Sequence, residues 1–353
     1  MIQISKKTNW NLENLVRDNV RNMQPYSSAR DEFIANTRPM VYLDANENPF
    51  ANGINRYSDP QQKELKEVLG ALKNVLTKNI LIGNGSDEVL DLIFRAFCEP
   101  KIDNVITLPP TYGMYSVLAA INSVENREVL LEKDFQPNVS SILSSVNINT
   151  KIIFLCSPNN PSGNSFLEES VLEILENFNG LVVIDEAYID FSEDAGWLHS
   201  LEEFPNLVIT QTLSKAYGAA GIRMGICYAS AEIIMVLNKI KPPYNSNLLS
   251  QERAIQVLKN NEKIKSQIAL IKQERTSLYK ALLQINFVSK VYASDANFLL
   301  IKVDNADLRY KQLLDKGFVV RNRSSQPLCE NTLRITIGTS EENKSLIKAL
   351  QQL

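Results

Sequence analysis

The chain has 353 residues, 44% of them apolar and 22% charged, and a formal net charge of −3. These values suit a globular protein of about two domains. The slight acidity and the lack of a basic stripe speak against nucleic acid as a partner, yet leave room for small anions held by local arginines.

Residues 1–40 are polar and read as an N-terminal arm, with an amphipathic helix expected around residues 12–16. The first residues, Met1 to Lys7, lack the apolar stretch of a secretory signal, and no later run reaches membrane-spanning length, so a cytoplasmic protein with no membrane partner is expected. Tyr26 follows a turn proline, where taken alone it reads as a packing residue rather than a binding one. Residues 41–44 are expected as a short strand that ends in the turn Ala45-Asn46-Glu47-Asn48-Pro49. Asn55-Arg56-Tyr57-Ser58-Asp59-Pro60 comes next, and residues 61–76 have helical spacing. A short strand then enters the turn Gly83-Asn84-Gly85, and a helix opens near Ser86. Unpaired N–H groups and the helix dipole at Gly85, Ser86 and Asp87 make a phosphate site, although a capped helix without ligand gives the same pattern. There is neither a Walker lysine nor a GxGxxG here, which disfavours a nucleoside triphosphate or a dinucleotide.

Strand, turn and helix start follow in residues 104–115, with Tyr112 readable as a stacking platform or as core. The apolar run 151–157 leads into Pro158-Asn159-Asn160-Pro161-Ser162-Gly163, a tight polar loop carrying Asn160. Residues 180–188 form a strand apolar on both faces, ending in Asp185-Glu186-Ala187-Tyr188. A buried Asp185 is costly unless paired, and a satisfied strand-end acid or a magnesium ligand are the alternatives to a cofactor contact.

After the apolar residues 207–209 comes Thr210-Gln211-Thr212-Leu213-Ser214-Lys215-Ala216-Tyr217-Gly218-Ala219-Ala220-Gly221-Ile222-Arg223-Met224-Gly225. Lys215 stands among small, hydroxyl and apolar residues, a setting that lowers an amine's pKa and makes it nucleophilic. Thr212, Ser214 and Arg223 supply the donors a phosphate requires. The only histidine, His199, has no partners for a zinc site or a Ser-His dyad and reads as a solvated loop residue, so acid–base chemistry falls to Lys215. Cys98, Cys156, Cys227 and Cys329 show no metal spacing and read as reduced thiols. Pro242-Pro243 marks a boundary, a long helical stretch covers residues 248–283, and strands are expected at residues 296–303, 317–321 and 333–338.

The Lys215 stretch resembles the cofactor-lysine segment of fold-type I pyridoxal-phosphate aminotransferases, and in particular that of the histidinol-phosphate aminotransferases, whose segment reads TLSKAxxLAGLRxG. Ala220 replaces a usual leucine. The resemblance runs from NVRNMQPY through NENP, NRYSDP, SPNNPSG and DEAY to LRITIG, with Ser58 in place of a proline and Ser162 in place of a threonine. It implies an α/β fold of type I, a large α/β/α domain with a mostly parallel sheet over residues 41–245 and a smaller C-terminal α/β domain over 246–353. It implies pyridoxal 5′-phosphate in Schiff-base linkage to Lys215, with Asp185 at the ring nitrogen, Tyr112 against the ring, and Asn160 and Tyr188 at the phenolic oxygen. The phosphate would meet Gly85, Ser86, Asp87, Thr212, Ser214, Arg223 and, across a homodimer interface, Tyr57. Tyr26, Asn46, Glu47, Arg321 and Arg334 would face the substrate, with Arg323 a near neighbour; a salt bridge or a surface position is the other reading of the arginines. Histidinol phosphate and glutamate or 2-oxoglutarate are the implied substrates. Aromatic aminotransferases and threonine-phosphate decarboxylases share most of these motifs, and a non-catalytic pyridoxal-phosphate-binding protein is the alternative of another class.

Overall fold

The structure is a computed structural model that describes residues 10–26 and 40–353. The leader reading of residues 1–7 and much of the 1–40 arm lie outside the described residues. In chain order the elements are α1 (Asp18–Asn22), α2 (Lys63–Lys73), β1 (Ile80–Asn84), α3 (Ser86–Phe97), β2 (Asn104–Thr107), α4 (Met114–Ile121), β3 (Glu125–Glu128), α5 (Val139–Ser144), β4 (Thr150–Cys156), α6 (Glu168–Asn177), β5 (Leu181–Asp185), β6 (Leu207–Thr212), β7 (Met224–Ala229) and α7 (Ala231–Ile240). They continue through α8 (Leu248–Lys259), α9 (Asn261–Leu282), β8 (Val288–Val291), β9 (Phe298–Val303), α10 (Ala306–Asp315), β10 (Arg321–Asn322), β11 (Thr332–Thr336) and α11 (Ser340–Leu350).

Seven strands form one sheet in the order β1-β7-β6-β5-β4-β2-β3. The neighbours from β6 to β3 are all parallel, and β7 alone runs against both of its neighbours. Strands β4 to β6 are buried almost throughout because both faces are covered, which is why they read as continuous apolar runs. Alternate residues feed two cores: Ile153, Val182, Ile184 and Ile209 on one face, Ile152, Phe154, Val183 and Val208 on the other. The result is a three-layer α/β arrangement. Its first core is closed by α2, α6 and α8, its second by α3, α4 and α7.

A separate antiparallel sheet, β10-β11-β9-β8, carries a third core with α9, α10 and α11. The helix α11 begins with a capping box in which Thr339 and Glu342 satisfy each other's backbone N–H groups.

Several expectations are corrected. Residues 41–44 form no strand; Val41 and Leu43 are 83% and 87% exposed, and no strand among the described residues pairs with them. The strand expected at 317–321 shrinks to Arg321–Asn322, since Gly317 takes φ +84 and closes the preceding helix. The helix expected at 12–16 is a single 3-10 turn, Leu12–Asn14, which Asn11 caps. The long helical stretch is broken at Asn260 into α8 and α9.

Candidate active site

Strand β1 ends at Asn84, and the chain turns through Gly85 at φ +84 into α3. A side chain is strained there by the left-handed backbone, and a Cβ, 2.6 Å from Nη2 of Arg223, would push that guanidinium aside. Strand β7 passes under the same turn at Gly225, where a Cβ would lie 2.2 Å from the Ser86 nitrogen and 2.3 Å from the Gly85 carbonyl carbon. No side chain caps α3, so its first-turn N–H groups keep their capacity for an anion. Beside them stand the Thr212 and Ser214 hydroxyls, 3.0 Å apart, and the guanidinium of Arg223, 4.0 Å from Asp87. Arg223 itself takes φ +53, an uncommon conformation for an arginine, as it ends the 3-10 turn that brings it back over Gly85. The Asp87 carboxylate accepts the Tyr112 hydroxyl at 3.0 Å and so fixes that ring at the cavity wall.

Asp185, the last residue of β5, is buried at the cavity floor. Its Oδ2 accepts the Tyr115 hydroxyl at 2.8 Å and its Oδ1 accepts the Ala187 N–H at 3.2 Å. Among the described residues no ion pair reaches it. Desolvation pushes its pKa up, while the bonds from Tyr115 and Ala187 and the neighbouring Thr210 hydroxyl pull it down. A carboxylate buried in this way calls for a cationic partner.

Asn160 is also buried, and its Oδ1 accepts from both Arg334 and Arg323. That orientation leaves the amide nitrogen as the donor toward the cavity. Tyr188 is buried against Phe298, edge to face at 5.1 Å, and Lys215 Nζ lies 5.7 Å from the Tyr188 ring centre. Desolvation, then the charge of Arg334, lowers the pKa of Lys215, partly offset by Asp185. An amine so placed has an enlarged neutral, nucleophilic fraction.

Arg334 enters from β11 of the second sheet, packed over Phe298, and Arg323 stands next to it; desolvation and the repulsion of neighbouring guanidiniums lower the pKa of both. Two cations that share one neutral amide oxygen form a receptor for an anion.

One cavity of about 260 Å³ is thus lined by Ser86, Asp87, Tyr112, Asn160, Asp185, Tyr188, Thr212, Ser214, Lys215 and Arg223, with Gly85 directly behind. It sits at the carboxyl ends of the parallel strands, where such sheets take their ligands. Arg334 reaches it through Asn160, whereas the remaining expected residues do not line it. Tyr57 is 54% exposed and stacks on Tyr244 of its own chain at 4.4 Å. Glu47 spends its carboxylate on Arg56, at 2.6 Å, and on the Tyr57 N–H, at 2.7 Å, and so braces the Tyr57 loop. Asn46, Tyr26 and Arg321 are exposed, Arg321 opposite Arg334 in the β10–β11 register. His199 is exposed, as expected, and all four cysteines are buried and unpaired. No cluster of metal-ligating side chains and no helix long and apolar enough to cross a membrane occurs among the described residues.

Two buried residues carry little signal in the sequence: Tyr115, marked only by its place three residues after Tyr112, and Glu186, inside DEAY. Glu186 is buried, bonded by the Trp197 N–H and the Gln211 amide, and its pKa is raised to about 7, chiefly by desolvation.

The sequence model of aminotransferase class I and II matches residues 38–350. A histidinol-phosphate aminotransferase of Christiangramia forsetii is 65% identical over 344 residues, 98% of each chain. The crystal structure of the histidinol-phosphate aminotransferase from Clostridium acetobutylicum superposes with a TM-score of 0.79 at 23% identity, over 85% of this chain and 90% of that one. That of the Sinorhizobium meliloti enzyme in complex with pyridoxal 5′-phosphate superposes with a TM-score of 0.77 at 24% identity, over 84% and 82%. At such identities the two superpositions speak for the fold.

Proposed function

Because the chain belongs to the class I and II aminotransferase family, with the fold-type I architecture, we propose that it is a pyridoxal-phosphate-dependent histidinol-phosphate aminotransferase of histidine biosynthesis. It moves an amino group between glutamate or 2-oxoglutarate and the histidinol-phosphate pair. The observation that carries the chemistry is the buried Asp185 carboxylate, without an ion-pair partner among the described residues, across one cavity from a lysine of lowered pKa. The 65% identical relative carries the choice of substrate.

The residues fit the cofactor. The α3 N-terminus, Thr212, Ser214 and Arg223 suit a phosphate dianion, and the shape held open by Gly85 and Gly225 admits it close to the backbone. Asp185 suits a protonated ring nitrogen, Tyr112 a flat ring, Asn160 and Tyr188 a phenolic oxygen, and Lys215 an aldehyde carbon. Pyridoxal phosphate, when bound, supplies an electrophilic carbonyl and a ring that withdraws electrons from the substrate's α-carbon.

The protein's part is placement and proton transfer. Arg334 and Arg323 bind the substrate's anionic group and fix the reacting carbon, with Arg321, opposite Arg334 in the β10–β11 register, for the second anion. Lys215 Nζ, once its neutral amine is free, takes the proton from that carbon. Asp185 holds its partner's proton in place. Tyr188 and Asn160 orient the ring's substituent by hydrogen bonds.

The reading extends to assembly. Tyr57 stands apart from its own chain's cavity, on a loop among the exposed apolar residues Val41, Leu43, Phe50 and Ile54. A homodimer puts the partner subunit's Tyr57 on the phosphate, and Tyr26, Asn46 and Glu47 near the substrate entrance. The large domain is residues 41–245, the small domain 246–353 and the arm 1–40. The enzyme works in the cytoplasm, where its four buried thiols stay reduced.

The test is amino-group exchange by the purified, cofactor-loaded protein with L-histidinol phosphate and 2-oxoglutarate, read as glutamate formed, beside phenylalanine and threonine phosphate. Fast turnover of histidinol phosphate, lost in Lys215→Ala together with the absorbance of lysine-bound cofactor, is expected. Turnover of phenylalanine alone, or carbon dioxide from threonine phosphate, overturns the substrate assignment. Absence of lysine-bound cofactor in the unmutated protein overturns the chemistry.

A further inference from the structure

Behind Asp185, on the side away from the cavity, stands a tyrosine outside every motif role assigned above. Tyr115 lies in the first turn of α4 and is fully buried. Its ring stacks on Phe154, 4.9 Å between centres at 13°, and meets Tyr112 edge-on at 5.6 Å and 86°. Phe154 is backed in turn by Phe94 at 5.2 Å. Held on its flat face and at its edge, the ring has little freedom, and its hydroxyl is aimed at Oδ2 of Asp185, 2.8 Å away. Oδ1 is bonded separately by the Ala187 N–H, so the two bonds together fix the carboxylate plane.

We propose that Tyr115 is a positioning residue for the cofactor: its hydroxyl, bonded to Asp185, keeps that side chain an oriented carboxylate and so keeps the proton on the cofactor's ring nitrogen. The inference rests on the pyridoxal-phosphate reading of the site.

The physical need is plain. A carboxyl buried without a protein cation drifts toward its neutral form. A neutral Asp185 would share a proton with the ring nitrogen instead of accepting one from it, and the ring would lose its pull on electrons. Around Asp185, hydrogen-bond donors oppose that drift, and the charge of Lys215 adds to them. Tyr115 is the strongest, followed by the Ala187 N–H and the Thr210 hydroxyl, while Asp87 works against them. The Cys156 thiol, the Tyr112 and Tyr188 hydroxyls and the Lys215 amine also feel the Asp185 charge. Burial and that same charge push the Tyr115 phenol far above its ordinary range, so it remains a donor at every working pH. Tyr112, by contrast, donates to Asp87 and cannot take over.

The experiment uses two readouts besides turnover. In the full chain freed of cofactor, with ¹³Cγ-labelled aspartate and the Asp185→Asn variant to assign the resonance, Tyr115→Phe raises the titration midpoint of Asp185 by about one pH unit, the effect of one lost hydrogen bond to a carboxylate. Replacing Tyr115 by 3-fluorotyrosine, a more acidic phenol and a stronger donor, moves it the other way. In the holoenzyme with ¹⁵N in the cofactor ring, Tyr115→Phe shifts the ring nitrogen resonance toward the unprotonated position, and kcat falls about 10-fold with KM for the amino donor little changed. Packing damage alone does not produce shifts of opposite sign from the two replacements. A midpoint unmoved in both overturns the proposal, as does a ring nitrogen resonance unchanged in Tyr115→Phe. If lysine-bound cofactor never forms while the Asp185 midpoint shifts as expected, the cofactor reading has failed and the Tyr115–Asp185 coupling stands. Should Tyr115→Phe fail to fold, the fluorotyrosine protein decides alone.

Discussion

Glu186→Gln separates a buried acid's cost from its contacts. Glu186 is fully enclosed, with Oε1 on the Trp197 N–H at 2.6 Å and Oε2 on the Gln211 amide at 2.8 Å. The nearby cation Lys73 is engaged 3.0 Å from Asp190. Burial raises the Glu186 pKa from 4.5 to about 7. The folded state therefore binds that proton more tightly than the unfolded chain does. The stability this contributes is complete below pH ~4.5 and is lost as pH rises through ~7. A shift of about 2.5 units at roughly 1.4 kcal/mol each is worth about 3 kcal/mol. For a chain of 353 residues that corresponds to about 4 °C in melting temperature. Glutamine cannot ionise, and its lost acceptor lowers stability equally at all pH. The quantity to read is thus the difference in melting temperature between Glu186→Gln and the unmutated chain, both free of cofactor, from pH 5 to 8.5. The variant should gain about 3 °C on the unmutated chain across that range, most of it between pH 5 and 7. Parallel curves would refute the argument.

Two further outcomes follow from the site. Gly225→Ala drives a Cβ into the backbone of Gly85 and Ser86, which no rotamer change relieves; equilibrium dialysis should show pyridoxal phosphate bound about 30-fold more weakly or worse, the equivalent of ~2 kcal/mol of overpacking. Arg334→Lys keeps the charge but removes the planar fork, so kcat/KM for the substrate should fall at least about 30-fold, while the absorbance of lysine-bound cofactor persists.

What could be read in the sequence divides along physical lines. The loops that leave β4, β5 and β6 were legible because each is short, follows a buried apolar strand, and carries polar residues where that strand stops. Asn160, Asp185 and Lys215 fall where those loops predict. Short, exposed segments were not legible. Residues 41–44 have a strand-like run of apolar and aromatic side chains, yet such a run says nothing about whether a partner strand exists. The α8–α9 break at Asn260 has no glycine or proline to announce it. Most hidden of all are contacts set by the fold: Tyr115 meets a carboxylate 70 positions away, and Glu47 turns to Arg56 and the Tyr57 backbone, which no local pattern encodes.

The guanidiniums of Arg334 and Arg323 lean on one neutral oxygen, that of Asn160. Their mutual repulsion is relieved by any compact oxyanion that arrives, whether metabolite or salt. Inorganic phosphate and sulfate are therefore competitors built into common laboratory solutions. Michaelis constants measured in phosphate buffer will be inflated relative to those in a zwitterionic buffer of equal ionic strength, and ammonium sulfate carried over from purification will act as an inhibitor.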